Sequence, residues 1–339
     1  MYNSLYKPSN MDFWQGRIDS EDNFDAFRWH QWIEIIDLSK ENLPRFDGKL
    51  GFAFIGFCCD EGIRRNKGRV GAANGPSAIR KEMSNLPCHF TKEVKLFDAG
   101  NVFCENNDLE KSQKCLASAV EKILSLNLFP IVLGGGHEVA FGHYMGIYNF
   151  IKNENKNSSI GIINFDAHFD LRPYDSGPSS GTMFKQIADT CSKQDQKYSY
   201  MCIGIQKHSN TIDLFKTAQR LGVLYILAKD IAYGDDFGIM EQVDNFIKQN
   251  DSIYLTICSD AFASAYAPGV SATQSLGLDP EKSLKFIKYI LRSNKVISFD
   301  IAEVSPRFDQ DNQSANLAAV IIFSAVNVLA KINDLDVNI

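Results

Sequence analysis

Eight short runs of continuous apolar, β-branched or aromatic residues recur along the chain, at 52–57, 94–97, 129–133, 160–165, 198–203, 223–227, 253–257 and 296–299. Their apolar character is unbroken rather than alternating, which marks strands buried on both faces. Between them lie amphipathic stretches at 108–126, 141–152, 211–221, 237–249, 280–292 and 314–332. Strand then helix, repeated, predicts a three-layer α/β/α fold with a mainly parallel eight-stranded sheet. No Pro/Gly/Ser-rich linker divides the pattern, so residues 46–339 are expected to form a single α/β domain behind an N-terminal arm, residues 1–45. The arm is rich in aromatics (Phe13, Trp14, Phe24, Phe27, Trp29, Trp32) and is expected to pack over the domain or a neighbouring subunit.

Composition narrows the function classes. At 339 residues and 45% hydrophobic the chain can bury a full core without disulfides. Thirty-five Lys plus Arg against 41 Asp plus Glu leave a net charge of -6, which argues against a general binder of nucleic acid or anionic membrane. No stretch approaches the roughly 18 apolar residues of a membrane helix, and the start lacks a basic-then-apolar leader, so a cytoplasmic protein is expected. The eight cysteines include no C-x-x-C pair and are expected to be thiols, most of them buried.

In open α/β sheets ligands bind beyond the carboxyl ends of the strands, so the residues just after each strand carry the candidate chemistry. The third strand runs into Leu133-Gly134-Gly135-Gly136-His137-Glu138. A glycine-rich turn of this kind can cradle a phosphate, but a phosphate loop would end in Lys and Ser or Thr, and His137 suits a metal better. The fourth strand runs into Asn164-Phe165-Asp166-Ala167-His168-Phe169-Asp170. Alternation in an extended segment sends Asp166, His168 and Asp170 to one side, and two carboxylates with an imidazole suit a hard or borderline divalent ion such as Mn²⁺. The seventh strand ends at Cys258-Ser259-Asp260 and is followed by Ala267-Pro268-Gly269-Val270-Ser271, and the eighth ends at Asp300-Ile301-Ala302-Glu303. Four strand ends bearing His, Asp, His, Asp, Asp and Glu at one sheet edge point to a metal-dependent hydrolase.

These segments, in this order over roughly residues 50–335, resemble the ureohydrolase family of arginases, agmatinases and formimidoylglutamases. The resemblance implies two Mn²⁺ ions held by a GG-x-H histidine, a DAH-x-D triplet and a D-x-D pair, with a metal-bridging hydroxide attacking an amidine-type carbon. Carried over position by position, the ligands are His137, Asp166, His168, Asp170 and Asp260, with Asp166 as a bridge. Glu303 matches the glutamate that pairs with the cationic substrate group, and Asp166, His168 and Glu303 are the catalytic candidates. The loop from Gly56 to Ala72, the GGGHE turn, Leu171-Arg172 and Pro268-Gly269-Val270-Ser271 look like the formimidoylglutamase branch. That branch hydrolyses N-formimidoyl-L-glutamate to L-glutamate and formamide in histidine degradation. Such a substrate, a small dicarboxylate amidine, calls for arginines to hold its carboxylates bidentately, and Arg69 and Arg172 are the candidates.

Two positions depart from the family pattern. Cys258 stands where the first Asp of D-x-D is expected, which puts a thiol at a bridging position and the second metal in question. Phe184 lies in the loop where arginases carry an additional histidine, so that proton shuttle is expected to be absent. An agmatinase or other guanidino hydrolase, and a catalytically weak ureohydrolase-like binding protein, remain as alternatives. A homo-oligomer is expected.

Overall fold

The computed structural model describes residues 5–154 and 158–337. All eight expected strands form, with two short ones added from the N-terminal arm. In chain order the strands are β1 (Tyr6–Lys7), β2 (Ile33–Ile35), β3 (Leu50–Cys58), β4 (Val94–Phe103), β5 (Phe129–Leu133), β6 (Ile160–Phe165), β7 (Tyr200–Ile205), β8 (Leu224–Leu227), β9 (Ser252–Cys258) and β10 (Val296–Ala302). They join one ten-stranded sheet in the order β1-β4-β3-β5-β10-β9-β6-β7-β8, with β2 also against β4. Among the described residues the sheet therefore has ten strands rather than eight. Neither β1 nor β2 carries an apolar run long enough to read as a strand, and both owe their conformation to the open edge of β4. β1 pairs antiparallel, and every other pairing is parallel.

The helices are α1 (Trp29–Trp32), α2 (Glu61–Arg65), α3 (Gly75–Met83), α4 (Leu109–Ser125), α5 (Val139–Asn153), α6 (Met183–Lys193), α7 (Ile212–Arg220), α8 (Ala228–Tyr233), α9 (Asp236–Lys248), α10 (Pro280–Leu291) and α11 (Gln313–Ile332). Side-chain caps start several of them where the apolar period begins: Asp108 accepts from Lys111 N–H, Thr211 from Leu214 N–H and Asp279 from Lys282 N–H. Strand alternation splits the core in two. Phe52 and Phe54 of β3 face α3, α9, α10 and α11, while Ala53, Ile55 and Phe57 face α4 to α7. Helix α11 has the length and apolarity of a membrane span, but Ala315, Ala319, Ile322 and Val326 are buried in the first of these cores.

The described part of the arm, residues 5–45, is stitched into the sheet by a buried charge. Strand β4 runs six residues beyond its apolar stretch because Asp98 inside it is ion-paired with Arg80 of α3, both fully buried, at 2.8 Å. Trp14 Nε1 and Ser9 Oγ of the arm donate to the same carboxylate at 2.7 Å. A carboxylate held by Arg80, Trp14, Ser9 and the Gly100 N–H can be buried, whereas one alone would not be. Trp29 adds an apolar clasp, stacked on Phe54 at 5.8 Å.

Candidate active site

The sheet order brings the chemistry together. Strands β5, β10, β9 and β6 are consecutive neighbours, and their carboxyl ends deliver His137, Glu303, Cys258 with Asp260, and Asp166 with His168 and Asp170. Register does the fine alignment: Leu133 lies beside Ile301, Ala302 beside Cys258, and Phe165 beside Ile257. The turn after β5 has to pass close under the carboxyl end of β3. A Cβ on Gly135 would lie 1.8 Å from the Cys59 carbonyl oxygen, so only glycine fits there. Asp170 and Glu303 both take left-handed backbone conformations, φ +49° and +68°, a local strain of about 1 kcal/mol each. Glu303 is held in it by its own N–H donating to Gly135 O and by its Oε1 accepting from His137 N–H, 2.8 and 2.9 Å.

The side chains sort into two groups that share Asp166. One consists of His137, Asp166 and Cys258, and the other of Asp166, His168 and Asp260, with ligand atoms in each within 4.8 Å of one another. His137 Nδ1 lies 3.0 Å from Asp166 Oδ2 and 3.2 Å from Asp170 Oδ2, while His168 Nδ1 lies 3.4 Å from Asp166 Oδ1 and 3.3 Å from Asp260 Oδ2. His137 Nδ1 is buried and makes no hydrogen bond of proper geometry to either carboxylate. A buried nitrogen aimed between two carboxylates without bonding to them is how a metal ligand looks before the ion is drawn in. Cys258 Sγ donates to Asp260 Oδ1 at 2.8 Å, so the thiol belongs to the cluster.

The electrostatics describe a site built for positive charge. Burial opposes charging of His137, yet Asp166 and Asp170 hold its pKa well above the imidazole range; Asp260 and Asp166 do the same for the partly buried His168. Burial would raise Asp166, but the two histidines hold it well below the usual carboxylate range. Asp170 is pushed up to about 6 by burial and by Asp166, and Glu303 to about 7 by burial and by Asp260. The Cys258 thiol is driven well up by burial and by Asp166, Asp260 and Glu303. Acids crowded until several resist losing their protons are relieved by divalent cations.

A cavity of about 210 Å³ opens over these groups, with Arg172, Asn66, Ser180, Ser209 and Asn210 in its wall beside the cluster. Arg172 is therefore part of the cavity wall. Arg69 does not line the cavity. Its guanidinium donates to the carbonyls of Val270 and Ser271, at 2.6 and 3.1 Å, and covers the Phe308 ring, because the Ala267–Ser271 turn folds its carbonyls toward it. It acts on the site through Ser271, whose hydroxyl donates to Glu303 Oε2 at 2.6 Å. Arg64 and Arg65, in the same basic loop, are ion-paired with Glu61. Phe184 is buried, stacked on Tyr200 at 4.3 Å and edge-on to His137 at 5.6 Å, so it packs behind the metal-side histidine.

Several contributors escape a reading of the sequence. Thr256 accepts or donates at His137 Nε2 (3.0 Å), and Asn210 ties the Asp166–Asp170 segment down by donating to Ala167 O and accepting from Phe169 N–H. A threonine within a strand and an asparagine in a loop carry no signal until the fold brings them beside a ligand.

Comparison with known proteins agrees with this geometry. The sequence profile of the arginase family matches residues 50–327. The chain is 68% identical over 328 residues to the formimidoylglutamase of Clostridium tetani, covering 96% of this chain and 97% of that protein. It is 43% identical over 322 residues to the formimidoylglutamase of a Geobacillus strain, covering 95% and 96%. Among solved structures, Bacillus subtilis formimidoylglutamase superposes with a TM-score of 0.77 at 22% identity over 93% of this chain and 96% of that one. Trypanosoma cruzi formiminoglutamase with two Mn²⁺ superposes with a TM-score of 0.74 at 23% identity, over 86% and 96%. With the profile spanning β3 to β10 and their ligand-bearing strand ends in the family's order, the chain belongs to the arginase family.

Proposed function

We propose that the protein is a formimidoylglutamase, hydrolysing N-formimidoyl-L-glutamate to L-glutamate and formamide with two Mn²⁺ ions. The near full-length likeness to the Clostridium tetani enzyme carries the reading. The donor set supports the metal: carboxylates and imidazoles converge, His137 Nδ1 is buried without a hydrogen-bonding partner, and the acids are crowded. His137, Asp166, Asp170 and Cys258 would hold one ion and Asp166, His168 and Asp260 the other, with Asp166 common to both. Bound there, the pair supplies Lewis acidity and activates a water for attack on the formimidoyl carbon.

The rest of the chemistry falls to the chain. The formimidoyl group is a cation near neutral pH, and Glu303, in the cavity wall beside the cluster, holds it with a carboxylate oriented by Ser271 and by His137 N–H. Binding that cation stabilises the charged form of Glu303, which burial and Asp260 otherwise disfavour. Arg172 offers a paired donor to a substrate carboxylate, with Asn66 and Ser180 beside it. The ion-paired Arg65 also donates to Pro178 O and so fixes the loop that presents Ser180. The eight cysteines form no disulfide, which suits a reducing compartment, and we infer a cytoplasmic enzyme acting in histidine breakdown, assembled as a homo-oligomer. Purified protein loaded with Mn²⁺ is expected to release formamide from formimidoyl-glutamate, and to release urea from agmatine or arginine far more slowly. Faster urea release from agmatine would make it a guanidino hydrolase. No turnover of any of the three, with both ions bound, would make it a binding protein.

A further inference from the structure

Behind the metal cluster, away from the cavity, lies a polar chain that the reaction itself does not use. His137 Nε2 is 3.0 Å from Thr256 Oγ1, and Thr256 Oγ1 donates to Asp300 Oδ1 at 2.7 Å. The other oxygen of Asp300 accepts from Tyr254 O–H and from His143 Nδ1, the latter at 2.6 Å. Ser298 Oγ closes the far side of the His143 ring at 2.5 Å and reaches Pro130 O at 3.2 Å. Thr256, Asp300, His143, Tyr254 and Ser298 are all fully buried. Five polar side chains sealed in the sheet core would each cost on the order of 1–3 kcal/mol if left unpaired. An apolar set of the same shape would avoid that exposure, so their presence calls for a use.

Proton counting identifies it. Asp300 receives three donors and, as a carboxylate, has none to return. Thr256 has one hydroxyl proton and gives it to Asp300, so toward His137 it can only accept. When an ion takes the place of one ring proton, the proton that stays on His137 is thereby kept at Nε2 and the lone pair is left at Nδ1, the atom that faces Asp166 and Asp170. We propose that Thr256 and Asp300 are positioning residues that select the tautomer and fix the ring plane of His137 for its metal, with His143 and Tyr254 locking Asp300 in place. This rests on the metal reading above and extends it by saying why that histidine presents Nδ1 rather than Nε2. An imidazole ligand whose outer N–H is held by an oriented acceptor is a stronger and better-aimed donor, an effect typically of 10–100-fold in metal affinity.

The test compares Mn²⁺ binding to metal-free wild type, Thr256→Val, Thr256→Ser and Asp300→Asn by titration calorimetry, with electron paramagnetic resonance following the exchange-coupled ion pair. Thr256→Val keeps the shape and removes the acceptor. One Mn²⁺ equivalent should weaken by about tenfold or more, the other should hold, and the coupled-pair signal should give way to an isolated ion. Thr256→Ser restores the hydroxyl and should restore both equivalents, which a mere loss of packing would not predict. Asp300→Asn should weaken the same equivalent, and serves as the test should Thr256→Val not fold. Two unchanged equivalents in Thr256→Val or Asp300→Asn would overturn the assignment while leaving the metal site standing. A wild type that binds no Mn²⁺ would overturn the metal reading and this inference with it.

Discussion

Replacing Cys258 with Asp should move the protein in opposite directions with and without metal. The thiol is buried, donates to Asp260 Oδ1 at 2.8 Å, and is kept protonated by burial and by the acids around it. An aspartate there brings a second carboxylate against Asp260. At about 4 Å and an effective dielectric near 20, two full charges repel by about 4 kcal/mol. A shared proton removes part of that, as in any close carboxylate pair, and leaves a destabilisation of about 1–3 kcal/mol in the metal-free protein. Cations reverse the sign. A hard oxygen donor replaces a thiol that must lose a tightly held proton before it can bind, and Mn²⁺ affinity at that position should rise about tenfold, or about 1.4 kcal/mol. Thermal unfolding of metal-free Cys258→Asp should therefore start a few degrees below wild type and gain more on Mn²⁺ addition. Calorimetric titration should show one tightened equivalent, read alongside formamide release. Identical melting temperatures without metal, together with two equally tight equivalents in both proteins, would refute the reasoning. Cys258 would then lie outside the ion's reach, with a different ligand in place of the missing carboxylate.

Three further outcomes follow from the geometry. Arg172→Ala should raise KM for formimidoyl-glutamate by the loss of a charge-assisted contact, about 1.5–3 kcal/mol, whereas Arg69→Met should act mainly on kcat by loosening the Ser271 turn beneath Glu303; the reverse split would return Arg69 to the substrate. Glu138 is buried next to the ligand turn, bonded to Gly62 N–H, and its pKa is pushed up to about 8 by burial and by Glu303. Between its ordinary value and about 8 the folded protein holds one proton more than the unfolded chain, so unfolding free energy should fall with rising pH by up to about 1.4 kcal/mol per pH unit, and Glu138→Gln should flatten that slope in urea melts of metal-free protein at pH 6 and 8. Arg80→Leu leaves the Asp98 carboxylate buried without its cation and should cost about 3–5 kcal/mol in urea unfolding, with Trp14 fluorescence reporting release of the arm; a loss under 1 kcal/mol would show that Trp14 and Ser9 suffice to hold Asp98.

What the sequence determined by itself was whatever is written locally. Continuous apolar runs and helical periods set eight strands and six helices, because burial on two faces or one leaves a pattern in the chain. The strand-end residues His137, Asp166, His168, Asp170, Asp260 and Glu303 stood out because charge directly after an apolar strand is conspicuous. Through the resemblance those motifs carry to the ureohydrolases, the misfit of Cys258, two residues before Asp260, could be read as well. The tertiary structure decided what depends on residues far apart meeting. Strand order placed β5, β10, β9 and β6 side by side, and so gathered three separated segments into two ligand groups sharing Asp166, with Glu303 of the fourth beside them. It took Arg69 out of the cavity, because the carbonyls that capture it lie about 200 positions away, at Val270 and Ser271. It drew the arm's two short strands into the sheet and aimed Trp14 at the buried Asp98, a partner that no local pattern announced. And it set Thr256 and Asp300 behind His137, an arrangement of hydrogen-bond directions that exists only once neighbouring strands are in register.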